Sequence, residues 1–371
     1  MRKIALATTF LSIGALLVGF QKPAPSIKPL PIPSSHKQPL RVAQANPPAP
    51  QVEVPEGFLM AYKSLPADYH TASSRNPDKI ALGRMLYFDK RLSKNHDISC
   101  NSCHQLNNFG VDHEPTSPGH KKQRGDRNSP TVYNAAGHFV QFWDGRSPHV
   151  EHQATQPVVN PVEMAISGPA QVETILKSIP GYVEAFKKAY PTEKDPVSYK
   201  NMGDAIGAFE RGLVTPSRWD DFLNGKKDAL TNPEKQGFVK FVTSGCLTCH
   251  IGPQLGGHMY QKLGMIKPWP NQKDKGRGTL LKDSTFDMFF KVPSLRNIAK
   301  TAPYMHDGSV KTLEEAVVLM ARHQLARELS KQDVAEIVTF LNALTGKIDP
   351  NYIKEPALPP SSPSTPKPDP N

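Results

Sequence analysis

The sequence predicts a mainly α protein of two similar domains with few short strands, and three observations carry that prediction. Its four cysteines fall into two pairs of identical spacing, one in each half of a long central region, and each pair is closed by a histidine. Apolar residues recur at helical spacing behind residues that cap helices. The prolines gather at the ends: ten of 37 lie between Gln21 and Pro55 and eight more between Pro350 and Asn371. What remains, about residues 56 to 349, has ordinary composition and enough length for two cores.

The first element is Met1 to Phe20, where Arg2 and Lys3 precede an uncharged run from Ile4 to Phe20. That order is expected of an exported, periplasmic protein, carrying either a secretory signal peptide or an uncleaved membrane anchor. Residues 21–55 read as a Pro-rich disordered linker, which would make a semi-extended stalk behind an anchor. Residues 350–371 read as a disordered Pro-rich tail. Of the net charge of +11, residues 1–55 carry +5, and the rest is spread without a basic stripe, so nucleic acid is not expected as a partner.

Before the first cysteine pair, Ile80 to Phe88 reads as a helix. Before the second, Asn232 to Gly245 does, with Phe238, Phe241 and Val242 on one face. Val172 to Tyr190 and Asn201 to Leu213 also read helical. Thr312 and Glu315 form a capping-box pattern, and Ser330 opens a last helix whose Val334, Ile337, Val338, Leu341 and Leu344 make one apolar stripe before Gly346. The halves should join near residues 210 to 220, giving domains at 56–212 and 213–349.

The cysteine pairs are Cys100-Asn101-Ser102-Cys103-His104 and Cys246-Leu247-Thr248-Cys249-His250. This is the attachment signature of c-type haem: two thiols bind the porphyrin vinyl groups and the following histidine ligates iron. A thioredoxin-like redox pair or a zinc site would leave the two histidines unexplained. Two covalently bound haems account for every cysteine, and the domains are expected to be cytochrome-c-like.

The segments LGRMLYFDKRLS, CNSCH, GH, RNSPT, FWDGR, NPVEM, CLTCH, VPSLRN and TAPYMHDGSVKTLEEAV, in this order over roughly residues 78 to 345, resemble the bacterial dihaem cytochrome c peroxidase family, to which MauG-type enzymes are related. The resemblance implies that His104 and His250 are proximal ligands. It makes His120 the histidine that covers the distal face of the first haem at rest and leaves on activation, Glu163 the distal acid-base group, and Trp143 the tryptophan between the haems. Met320 is implied as the thioether ligand of the second haem, at the position where MauG-type members carry tyrosine, with Met305 as the alternative. Asn128 and the carbonyls of Thr301 and Pro303 are implied as calcium ligands.

The implied reaction is reduction of hydrogen peroxide to water, with electrons from a small exported cytochrome c or cupredoxin. Two alternatives stay open at this point: a MauG-like enzyme oxidising a protein substrate, and a dihaem electron carrier without enzymatic activity. Family members commonly pair as homodimers, and the sequence leaves that open here.

Overall fold

The computed structural model describes residues 52–371. The signal or anchor over residues 1–20 and most of the 21–55 linker lie outside them. Among the described residues the protein is mainly helical, with one two-stranded antiparallel sheet, β1 (Tyr260–Lys262) and β2 (Phe289–Lys291), which pair Tyr260 with Lys291. The predicted fold class is the one observed.

In the first half, α1 (Pro77–Phe88) starts where the Asn76 side chain accepts from the Asp78 and Lys79 amides. Two helices follow the first histidine motif, α2 (Val150–Val159) and α3 (Pro169–Lys177). A further pair, α4 (Pro180–Ala189) and α5 (Tyr199–Glu210), completes this half. The single helix expected over residues 172–190 is thus two helices, because Pro180 lacks an amide donor and holds Ile179 extended. In the second half come α6 (Arg218–Leu223), α7 (Asn232–Thr243), α8 (Leu313–Leu325) and α9 (Lys331–Ala343). Thr231 and Glu234 form a full capping box on α7, as do Ser330 and Asp333 on α9. At α8 the Thr312 hydroxyl accepts from the Glu315 amide.

Each half is built on one helix crossing. A Cβ at Gly83 of α1 would lie 1.8 Å from the Ala205 carbonyl oxygen of α5, and one at Gly237 of α7 would lie 2.0 Å from the Glu336 carbonyl oxygen of α9. Only glycine lets these backbones meet so closely. Behind the crossings sit two aromatic cores. Tyr87 packs edge-on to Phe209 at 5.4 Å in the first, and fully buried Trp219 packs on Phe238 at 4.8 Å and Phe340 at 5.3 Å in the second.

The expected domain bounds need correction at both ends, for the chain's ends cross over. Val54, Phe58, Leu59 and Tyr62 pack on the second core, while Ile348, Tyr352 and Ile353 pack on the first. The tail at 350–371 is likewise ordered rather than unfolded. Tyr352 stacks on Phe209 at 5.2 Å and donates to its carbonyl, the Ser362 hydroxyl donates to the Ser178 carbonyl, and the Asp369 amide donates to the Lys94 carbonyl. Proline lowers the entropy lost when such a segment is laid along a surface, so its abundance is compatible with order once side chains have sites to fill. Residues 52–55, expected to be linker, are also placed, with the Val52 amide bonded to the Asn232 side chain.

The join between the halves is buried and hydrogen-bonded. The Thr215 hydroxyl accepts from both the Asn134 and Asn297 amides. Beside it, Arg296, 1 % exposed, donates two parallel bonds to Asp220 at 2.7 and 2.9 Å and a third to the Pro253 carbonyl. Burial acts to raise the Asp220 carboxyl, but Arg296 and the Leu65 and Ser217 amides hold it below its ordinary value.

Two predictions follow from this packing. Asp220→Asn leaves Arg296 buried and unpaired and should cost about 3–5 kcal/mol in denaturant unfolding. Because the folded carboxyl is depressed, the wild-type contribution is full above the ordinary carboxylate range and is lost as pH falls through the folded value, so the variant should show a flatter acid limb. Tyr352→Ala, which removes the stacking on Phe209, should destabilise by roughly 2–3 kcal/mol in the same assay; an unchanged midpoint would mean that the tail does not contribute to the fold.

Candidate functional site

The second histidine motif follows α7, where Gly245, at φ +94°, ends the helix and lets Cys246–Thr248 form a single tight turn. Cys246, Cys249 and His250 line a cavity with about 1690 Å³ of space, part of it open to solvent, whose apolar walls include Phe241, Leu263, Val292, Leu313 and Leu341. The His250 Nδ1 hydrogen-bonds to the Leu255 carbonyl at 2.9 Å, which directs Nε2 away as the atom left for iron. Burial brings the ring down to about 4, so it stays neutral and able to ligate at neutral pH.

The thiols discriminate between the possible uses of these motifs. Burial pushes Cys246 up to about 12 and Cys103 up to about 11, and Cys100 goes up further. Zinc and redox chemistry need thiolates, which this environment disfavours. A haem thioether carries no charge and suits it. The four cysteines form no disulfide, and among the described residues no group of three or more His, Cys, Asp or Glu side chains is placed to hold a metal ion. The residues present therefore fit covalent haem.

Met305 and Met320 both line the second cavity, Met305 from a turn in which its own φ is +71°, Met320 from the regular helix α8. Asn128, Thr301 and Pro303 also border it. The Asn128 side-chain amide donates to the Glu114 carbonyl, which leaves the amide oxygen as the atom for a cation. Trp143 reaches the same cavity: its indole N–H donates to the Asn128 carbonyl at 2.9 Å and its own carbonyl accepts from the Lys291 amide at 2.7 Å.

At the first motif, Ser99 and Ser102 cap the turn Cys100–Cys103, and the Tyr87 hydroxyl donates to the His104 carbonyl at 2.8 Å. Burial lowers the His104 pKa, opposed by Asp112 and the carbonyls of Gly110 and Pro130. The structure also brings His120 and Glu163, distant in sequence, onto adjoining loops. The His120 amide donates to the Glu163 carbonyl at 2.7 Å. A Cβ at Gly119 would lie 1.9 Å from the Val162 carbonyl oxygen, so this approach requires glycine.

His120 is 6 % exposed and its Nε2 is buried without a hydrogen-bond partner, as suits a nitrogen reserved for a metal. The residues after it, Lys121 and Lys122, have φ of 55° and 60°. Two consecutive non-glycine residues in the left-handed region store strain in this loop, of the kind a moving segment can release. Glu163 is held by an Asx turn in which the Asn160 side chain accepts from the Val162 amide. Burial raises its carboxyl, with Arg146 and Asn160 opposing, and its charge reaches the Cys103 thiol.

Sequence reasoning missed several residues here. Lys94 donates its amide to the Met164 carbonyl and pairs with Asp369 of the tail at 3.4 Å. No local pattern announces these contacts. Lys291 was also missed, although a lone cation within the apolar run Phe289-Phe290-Lys291-Val292 was a visible signal.

Comparison with known proteins agrees with this geometry. A family model described as di-haem cytochrome c peroxidase matches residues 77–228. The chain is 47 % identical over 294 residues to a cytochrome c551 peroxidase of Nitrosomonas europaea, covering 79 % of this chain and 86 % of that protein. It is 46 % identical over 293 residues to a cytochrome c551 peroxidase of Pseudomonas aeruginosa, covering 77 % and 84 %. Among solved structures, a MauG-like protein associated with microbial copper homeostasis aligns with TM-score 0.69 at 28 % identity, over 79 % of this chain and 97 % of that one.

The two methionines make separable predictions. Met320→Ala should lower the potential of the second haem, read by spectroelectrochemistry, and leave both haems attached, whereas Met305→Ala should leave that potential in place. The reverse pattern would assign the ligand to Met305.

Proposed function

The chain belongs to the di-haem cytochrome c peroxidase family, and on that premise we propose how its residues perform the reaction. The protein is a cytochrome c peroxidase, an oxidoreductase with haem as its cofactor, and its reaction takes hydrogen peroxide, two protons and two electrons to two waters. Bound haem supplies the iron site for peroxide and the redox equivalents.

In this reading Cys100, Cys103 and His104 hold the first haem, and Cys246, Cys249, His250 and Met320 the second. Asn128 with the carbonyls of Thr301 and Pro303 would hold a calcium ion between the halves. His120 would cover the first haem's site at rest, and the strained 119–123 loop that carries it would let it move aside. Glu163 then accepts the proton from the near oxygen of hydrogen peroxide and delivers it to the far oxygen, which departs as water rather than hydroxide. Trp143 lies on the electron route between the halves. The donor is a small exported cytochrome c or cupredoxin, and the enzyme works in the periplasm, exported by the segment beginning Arg2-Lys3 and either freed or tethered there.

The observation that carries these roles is the meeting of the His120 and Glu163 loops through one backbone hydrogen bond. It supports reading a gate and a proton carrier at one spot. Half-buried Glu163, raised by desolvation, suits a group that must both take and return a proton.

Steady-state consumption of peroxide with a reduced small cytochrome c tests the reading. Glu163→Gln should keep two attached haems and wild-type spectra while turnover falls by roughly a hundredfold or more. Unchanged turnover would remove Glu163 from the mechanism, and failure of the half-reduced wild type to bind cyanide would remove the gate.

A further inference from the structure

The second cavity contains a polar pair that the mechanism above does not use. Lys291 closes β2, is 6 % exposed, and turns its Nζ to within 2.9 Å of the His138 Nδ1. Its backbone is fixed on two sides, by the Tyr260 pairing in the sheet and by its amide bond to the Trp143 carbonyl. His138 is fixed as well: a Cβ at Gly257 would lie 2.4 Å from its ring, and the Phe139 amide donates to the Gly257 carbonyl. The His138 Nε2 is buried with no hydrogen-bond partner.

The charge arithmetic of this cavity is unbalanced. Lys291 is the single Lys or Arg among the described residues that line it, and no described Asp or Glu lines it. Nor does any described carboxylate lie within 4.0 Å of the Lys291 Nζ. An ammonium buried against a neutral imidazole is costly, and burial alone draws Lys291 down to about 7. A carboxylate entering the same apolar space would be costly for the same reason. Their mutual attraction offsets part of both costs if they meet.

We propose that Lys291, oriented by His138, is a carboxylate-binding site for a propionate of the second haem. The inference rests on the reading that this cavity holds a haem. It adds to that reading which of the chain's charges neutralises the group. An ammonium next to the propionate offsets a negative charge near the iron and so favours the reduced form. Its backbone amide bond to the Trp143 carbonyl ties the strand that carries this charge to the tryptophan assigned to the electron route. Lys291 is thus a positioning and tuning residue, and it takes no part in peroxide cleavage.

The test compares full-length holoprotein with Lys291→Met, Lys291→Arg and His138→Gln. Spectroelectrochemistry should show the second haem of Lys291→Met holding its electron about tenfold less tightly, ~59 mV for a one-electron couple, with the first haem unmoved. Lys291→Arg should recover most of the loss. The propionate bending band in resonance Raman should shift in Lys291→Met and, to a smaller degree, in His138→Gln. Two attached haems with an unmoved second potential in Lys291→Met, or a shift confined to the first haem, would overturn the proposal. If Lys291→Met does not accumulate, His138→Gln decides, and an unshifted band and potential there overturn it too. Fewer than two haems in the wild type, counted as pyridine haemochrome, would instead overturn the haem reading beneath it.

Discussion

The structure depends on two places where helix backbones touch without a side chain between them. Gly83 against Ala205 and Gly237 against Glu336 bring the helix before each cysteine pair onto the last helix of its half. At each crossing both helices contribute to one core, and the histidine motif that follows is held at its edge. A side chain at either glycine would push the helices apart and move the motif relative to the walls that must enclose its haem.

On this shared plan the two halves diverge in what surrounds the motif. The second histidine is locked by the Leu255 carbonyl and faces an apolar cavity in which one buried cation stands alone. That arrangement suits a permanently ligated haem passing electrons. The first motif has loops around it: His120 on a strained turn and Glu163 on an Asx turn, with Lys94, bonded to Met164, holding the end of the tail. Loops can rearrange where a packed helix cannot, so the half that carries His120 and Glu163 is also the one with the freer surroundings. The crossed chain ends tie the halves together, along with the buried Arg296–Asp220 pair and the Thr215 hydrogen bonds at the join.

Much of this was legible in the sequence because its causes are local. Asn232–Thr243 and Lys331–Ala343 announce themselves through caps and apolar period, and the two histidine motifs through spacing. The tail misled because proline content says how little entropy a segment has to lose, and not whether it has somewhere to dock. Tyr352 and Ser362 have such sites on Phe209 and Ser178, and neither site is visible from the tail's own composition. The break before Pro180 was legible in principle, since the residue preceding proline resists helical geometry.

By itself, then, the sequence determined the helical plan, the paired spacing of every cysteine with its histidine and the residue types available for peroxide chemistry, since each depends on neighbours within a few positions. Tertiary structure alone decided that His120 meets Glu163, that the chain's ends exchange halves, and that Lys291 is buried in a cavity with no carboxylate to answer it. Those facts depend on which distant backbones approach, and it is packing, through contacts such as Gly119 on Val162 and Gly257 on His138, that selects them.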